Sequence, residues 1–398
     1  MGRRTGHRYA PRVLRPTSGD VAGAVADLGI FVPLSAALVL VNGLDAGSVL
    51  IAAGLLTVSS GLAFGIPFPV QPLKALTALA VAQELSPDVI HAAGLQIGAI
   101  LVLLTLTGAA DRLSLIFTRP VIRSLQLGVG TLLVVSAVKL VQRPPVVFEH
   151  PTSTTSGMVL AVLTLGAVGL AARRHWYLLT AGVLAVGTVV SWLTARPHLG
   201  DVRLHAPDFG LPAWDVFGTA FVLLVIPQLP LTYGNAVVGV SDLAREHFSS
   251  AARRVTPGRV ALSCGVGNLV SALAGGMPMC HGSSGLSAHV RLGARTAAMN
   301  VLLGGTFIAL GAVLSNQVLT LFGLLPVWAL AGFLAYAGIR HAMLVLDLRG
   351  ARLAMAVAAA TAGILTGNLA YTTAAALLAE HAPRLWRRSR RPDTAVPS

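Results

Sequence analysis

Apolar runs long enough to cross a bilayer recur along this chain from Ala22 to Ala379, leaving little room for a folded domain outside them. A helix needs about 20 predominantly apolar residues to cross the hydrocarbon core. In that solvent each backbone amide must find its partner within the protein. These two facts confine the chain to a bundle of membrane helices. Composition agrees: 55% of the 398 residues are apolar and 11% are charged, which would leave a soluble protein of this size short of polar surface. The predicted fold is all-α and polytopic. One membrane domain fills residues 17–382, flanked by a basic head, 1–16, and a basic tail, 383–398, each too short to fold alone.

The net charge of +14 would suggest nucleic acid in a soluble protein, but here its distribution reads as topology. If head and tail both face the cytoplasm, the crossings are even in number and the loops should alternate between rich and poor in Arg and Lys. Fourteen segments satisfy this, placing 24 of the 29 basic residues inside. The basic termini then lie against the anionic inner leaflet, so lipid rather than nucleic acid is the expected partner. The first segment has no clear small-residue cleavage site after it and reads as a retained helix. Cys264 and Cys280 cannot form a disulfide framework and read as small packing residues. No metal or cofactor is expected.

The chain also repeats itself. At an offset of 211 residues, Ser60–Pro69 (SGLAFGIPFP) aligns with Ser271–Cys280 (SALAGGMPMC), with Ser, Leu, Ala, Gly and Pro coinciding at five of ten positions. The same offset pairs Gly47 with Gly258 and Gly54 with Gly265. Seven segments separate the copies, so the second enters the membrane from the opposite side. The reading is a 7+7 inverted repeat, about 17–195 and about 212–382, an architecture that gives transporters two related states.

Both copies break at the same place. Gly65-Ile66-Pro67 and Gly276-Met277-Pro278 end an apolar helix, and a short non-helical stretch precedes a short third or tenth segment. Pro67, Pro69 and Pro72 enforce extended backbone before Leu73–Ala82 can start a half-helix. A half-helix starting near the bilayer midplane points unpaired N–H groups and the positive end of its dipole at what lies ahead. Two such ends facing each other make an anion site.

The donors beside them are Gln71 and Lys74 on the first copy, and His281, Ser283 and Ser284 on the second. Amide, ammonium, imidazole and hydroxyl groups suit a tetrahedral oxyanion. The eighth segment adds Gln228 and Asn235, with Thr232, beside Pro227 and Pro230. Asp27, a carboxylate deep in the first segment, is the candidate proton carrier. Each residue also has a plainer reading. Lys74 could snorkel to the interface, His281 could pack against a carbonyl, Ser283 and Ser284 could cap their helix, and Asp27 could sit near the inner surface.

At these residues the chain resembles the molybdate transporter family, a branch related to the sulfate permeases. The motifs are PFPVQPLKALTALA (Pro67–Ala80), PQLPLTYGNAV (Pro227–Val237), DLGIFVP (Asp27–Pro33) and GGMPMCHGSSGLSAHVRLGAR (Gly275–Arg295). The resemblance implies a core domain that holds substrate and a gate domain against which it moves, with segments 1, 3, 8 and 10 around the anion. It also implies molybdate first and sulfate second as substrate, and a homodimer. The inverted repeat points to secondary active transport, Asp27 to proton coupling, and the apolar runs with their charge asymmetry to the cell membrane. Sulfate permeases usually carry a further cytoplasmic domain, and its absence here looks like the molybdate branch.

Three other classes compete. A nucleobase carrier of the same fold would place acids in segments 8 and 10, yet the eighth has Gln228, and no Asp or Glu occurs from Ser249 to Leu346. An anion channel could use the same half-helix pair. An enzyme is disfavoured, since the chain has no phosphate-binding Gly-rich loop ending in Lys-Ser/Thr, no clustered Cys and His, and no nucleophile elbow.

Overall fold

A computed structural model describes residues 15–108, 118–144, 153–174, 177–196, 204–291 and 293–389. The first half holds α1 (Ser18–Asn42), α2 (Ala46–Phe64), a two-residue strand β1 (Gln71–Pro72), α3 (Lys74–Ala82), α4 (Pro87–Leu106), α5 (Arg119–Gln142), α6 (Thr154–Arg174) and α7 (Tyr177–Ala195). The second holds α8 (the continuous helical run Val216–Arg254), α9 (Pro257–Leu273), β2 (Met279–Cys280), α10 (Ser283–Arg291), α11 (Ala298–Val313), α12 (Ser315–Gly323), α13 (Val327–Ala342), α14 (Gly350–Thr366) and α15 (Leu369–Ser389). With the short α12 set apart, the described helices follow the 7+7 order. The sequence reading had no place for α12.

Among the described residues, six helices are long and apolar enough to cross a membrane. Large apolar side chains such as Leu106, Val162, Leu163, Leu193 and Leu365 stand exposed on the outside of the bundle, as lipid requires. Helix ends follow local chemistry. Thr17 and Asp20 form a capping box on α1, Asp45 caps α2 by accepting from the Ser48 amide at 2.7 Å, and Gly43 and Gly65 end those helices with positive φ.

Lipid offers little hydrophobic drive for one helix to bind another, so small residues set the contacts. A Cβ on Gly54 of α2 would lie 2.5 Å from the Gly304 carbonyl oxygen of α11, and one on Gly98 of α4 would lie 2.8 Å from that of Gly265 on α9. These are equivalent pairs with the halves exchanged: second helix of one repeat on fourth helix of the other. Gly130 of α5 meets Gly338 of α13 the same way, joining the fifth helices of the two repeats, as a contact on a pseudo-two-fold axis must.

Packing divides the bundle in two. Helices α1–α4 and α8–α11 form the core, while α5, α6 and α13–α15 form the gate. In the gate, Arg119 and Arg123 of α5 both reach Asp347, just beyond α13. In the core, the Asp20 carboxylate accepts from the amides of Arg295 (2.8 Å) and Thr296 (3.0 Å) and the Thr296 hydroxyl (2.9 Å), tying the start of α1 to the turn after α10.

Gly54→Val is expected to force α2 and α11 apart and lower stability by roughly 1–3 kcal/mol or more. Gly305→Val, at a position with nothing within 4 Å, should leave stability near that of the parent. Thermal unfolding in detergent compares the two.

Candidate functional site

The two extended stretches meet in the middle of the core. β1 and β2 pair antiparallel, with Gln71 opposite Cys280 and Pro72 opposite Met279, and the Leu73 amide donates to the Pro278 carbonyl at 3.1 Å. Proline has no N–H, so the pairing is short and each strand needs other partners. α3 follows β1 with Leu73 as its N-cap, and His281 and Gly282 alone separate β2 from α10. The glycine with positive φ in the second copy is Gly275 rather than Gly276, because α9 ends at Leu273, two residues before the position equivalent to the end of α2.

The two half-helix ends lie within one lysine side chain of each other, since the Lys74 ammonium donates to the Ser284 hydroxyl at 2.8 Å. This bond faces open space, with Ser284 exposed and Lys74 half-buried. Gln71 is fully buried beside it. A Cβ on Gly282 would lie 2.8 Å from Gln71 Oε1 and 3.7 Å from Lys74 Nζ, and one on Gly285 would strike the Gln71 carboxamide and Pro69. Glycine at both positions lets the backbone at the start of α10 approach the first copy this closely.

The fold also brings α8 to this place. Its hydrogen bonding widens to π-helix over Phe221–Val225 and again over Thr232–Gly239, while Pro230 stays inside a helical turn. The two prolines therefore do not break the segment; wider turns accommodate the bonds they cannot make. From the second wide stretch Asn235 accepts a hydrogen bond from the Ser283 hydroxyl.

Two candidates turn toward the protein instead. Gln228 accepts from the Leu76 amide (2.9 Å) and donates to Thr232 (2.8 Å), so it satisfies one N–H in the first turn of α3. His281, fully buried, lies against Phe68. Its Nδ1 is 2.9 Å from the Pro69 carbonyl, which can only accept, so this nitrogen carries a hydrogen. Nε2 lies 2.9 Å from the Ser263 hydroxyl. With both nitrogens engaged, the imidazole fixes the strand rather than facing the gap. Asp27 lies on α1, and its side chain is outside the described residues.

Sequence reasoning passed over Asn268 on α9 and Asn300 on α11, each holding one of the extended stretches. Both are lone carboxamides in apolar helices, a signal that was there to be read. Gln71, Lys74, Asn235, Ser283 and Ser284 thus come together around two helix N-termini. Backbone dipoles and an ammonium add up to a positive field over a small, donor-rich volume, which suits an anion with several oxygens.

Comparison with known proteins bears on the same residues. A family model described as molybdate transporter of MFS superfamily matches residues 19–133 and 220–340. Molybdate transporter 2 of Arabidopsis thaliana is 31% identical over 404 residues, covering 90% of this chain and 85% of that protein. Among solved structures, the transmembrane domain of a cyanobacterium bicarbonate transporter, BicA, aligns with a TM-score of 0.66 at 17% identity over 89% of this chain and 96% of that one. The murine anion transporter Slc26a9 in the inward-facing state aligns at 0.65 and 14% identity, covering 96% of this chain and 70% of its own. Both support the 7+7 fold. At these identities they speak to the fold alone.

Replacing Gln228 by Met, which keeps the volume, should strand the Leu76 amide and lower stability by about 1–3 kcal/mol. Thermal unfolding reads this, and an unchanged midpoint would mean that Gln228 does not hold α3.

Proposed function

This chain belongs to the molybdate transporter family, and we propose that it carries molybdate itself, as a secondary active transporter working by alternating access. The observation that carries this reading is the meeting of the α3 and α10 N-termini, with Lys74 between them and Gln71, Asn235, Ser283 and Ser284 around. A tetrahedral dianion seated there would accept from the ammonium, the carboxamides and the hydroxyls. It would also meet backbone N–H groups at two positive dipole ends, at no reorganisation cost. On this reading Gln228 and His281 are positioning residues. The first orders the opening turn of α3, and the second locks β2 to the stretch before β1 through Pro69.

Transport then consists of the core carrying this site past the gate, open first to one side and then to the other. Asp27, on α1 within the core, is the proposed proton acceptor that couples uptake to a proton gradient. The termini face the cytoplasm on this reading, where the charge asymmetry of the loops places them. Sulfate, of the same charge and shape, is the nearest competitor for the donors.

Uptake of labelled molybdate into proteoliposomes under an inward proton gradient tests the reading, with sulfate and uracil as competitors. Saturable uptake that molybdate blocks better than sulfate supports it. Equal blocking by sulfate widens it to oxyanions generally, and uptake of uracil instead overturns it. A flux that follows voltage without regard to the proton gradient would make the protein a channel. Lys74→Ala should raise KM by tenfold or more, as loss of a charge-assisted hydrogen bond of about 1.5–3 kcal/mol implies. Asp27→Asn should remove the pH dependence of uptake, and full retention of it would take the proton role away from Asp27.

A further inference from the structure

The strongest unassigned feature lies just behind the site. Phe68, three residues before Gln71, and Met279, four before Ser283, occupy equivalent positions at the offset of 211 residues. Each has both of its backbone groups taken by one carboxamide. Phe68 donates to Asn300 Oδ1 (2.9 Å), and its carbonyl accepts from Asn300 Nδ2 (2.6 Å). Met279 donates to Asn268 Oδ1 (2.8 Å), and its carbonyl accepts from Asn268 Nδ2 (2.7 Å). Both asparagines are fully buried. A primary carboxamide has the donor and acceptor of a peptide group, so one side chain does here what a neighbouring strand does in a sheet, and adds no charge.

The two grips come from positions that the repeat does not relate. Asn268 sits on α9, in the same half as the strand it holds. Asn300 sits on α11, in the opposite half, and reaches across to the first copy. The position equivalent to Asn268 is Thr57, whose carbonyl accepts the second hydrogen of Asn300 Nδ2 at 3.1 Å, as the Cys264 carbonyl does for Asn268 at 2.7 Å. Gly61 makes room for the crossing, since a Cβ there would lie 2.3 Å from that of Asn300.

We propose that Asn268 and Asn300 are positioning residues of the anion site, setting the register of the two crossing strands and hence the separation of the α3 and α10 N-termini. The lever is short. Met279, held by Asn268, pairs with Pro72, two residues from Lys74. Phe68, held by Asn300, adjoins Pro69, whose carbonyl fixes His281. A strand released by one residue's slack would move a half-helix end away from the substrate while leaving the helices around it packed. The inference rests on the transport reading above, and it predicts an effect on affinity beyond any effect on folding.

The repeat supplies the test. Asn300→Ala removes the grip on Phe68, and Thr57→Asn in that background offers a carboxamide from the position that corresponds to Asn268, into space the first change has opened. Molybdate KM and maximal uptake would be measured for both and for the parent, per amount of monodisperse protein. Asn300→Ala is expected to raise KM roughly tenfold or more, the effect typical of groups that orient a ligating shell. The double variant should recover most of that loss. Should Asn300→Ala not fold, Asn300→Ser takes its place in both arms. An unchanged KM in folded single variant overturns the proposal, and so does a double variant no better than the single one, because the loss would then be one of volume. Saturable uptake by the parent tests the transport reading separately; the ratio of variant to parent KM tests the grip.

Discussion

Extended backbone at membrane depth is the constraint on which this structure turns. A helix satisfies its own amides, but the stretches Ile66–Leu73 and Met277–His281 cannot, and an unpaired peptide group in hydrocarbon costs several kcal/mol. Specific partners meet these obligations at several points. The strands pair with one another, Asn300 and Asn268 take Phe68 and Met279, Ser271 donates to the Met277 carbonyl, and His281 donates to Pro69. Two half-helices begin where these stretches end. The convergence of their N-termini, and with it the positive field, follows from how the strands are held.

The surrounding polar groups therefore divide by the direction they face. Gln228, His281, Asn268 and Asn300 are spent on backbone, while Lys74 and Ser284 meet at an open face beside Gln71, Ser283 and Asn235. The supporting groups are neutral amides, a hydroxyl and an imidazole with both nitrogens engaged. Supports of this kind hold the half-helix ends in place beforehand, which lowers the ordering cost of binding there.

The glycine contacts explain how such a core stays together. Gly54 on Gly304 and Gly98 on Gly265 bring backbones of opposite halves nearly into touch, and lipid on the outside would otherwise give them little reason to associate. The gate has its own ties, among them Asp347 with Arg119 and Arg123. Core and gate also touch, as where Gly234 of α8 lies against Ile122 of α5. A further tie is the hydrogen bond from Gln83, at the end of α3, to the Gly367 carbonyl at the end of α14, a contact at helix ends that can break without opening either body.

Much of this was legible in the residues. Long apolar runs specify membrane helices whatever their neighbours, because the bilayer acts on each segment separately. Gly-x-Pro and alternate prolines specify where a helix must stop, because those effects are local to the backbone. An internal offset that matches Gly and Pro specifies two inverted copies. What no local rule could supply is which way a polar side chain turns once the segments pack. Gln228 carries the same carboxamide as Gln71, and only the tertiary structure decides that Gln228 turns to the Leu76 amide while Gln71 lies against Gly282 and Gly285 at the start of α10. The grip of Asn300 on Phe68 is decided there too, since it joins residues 232 positions apart in the chain and exists only when α11 of one half lies against the strand of the other.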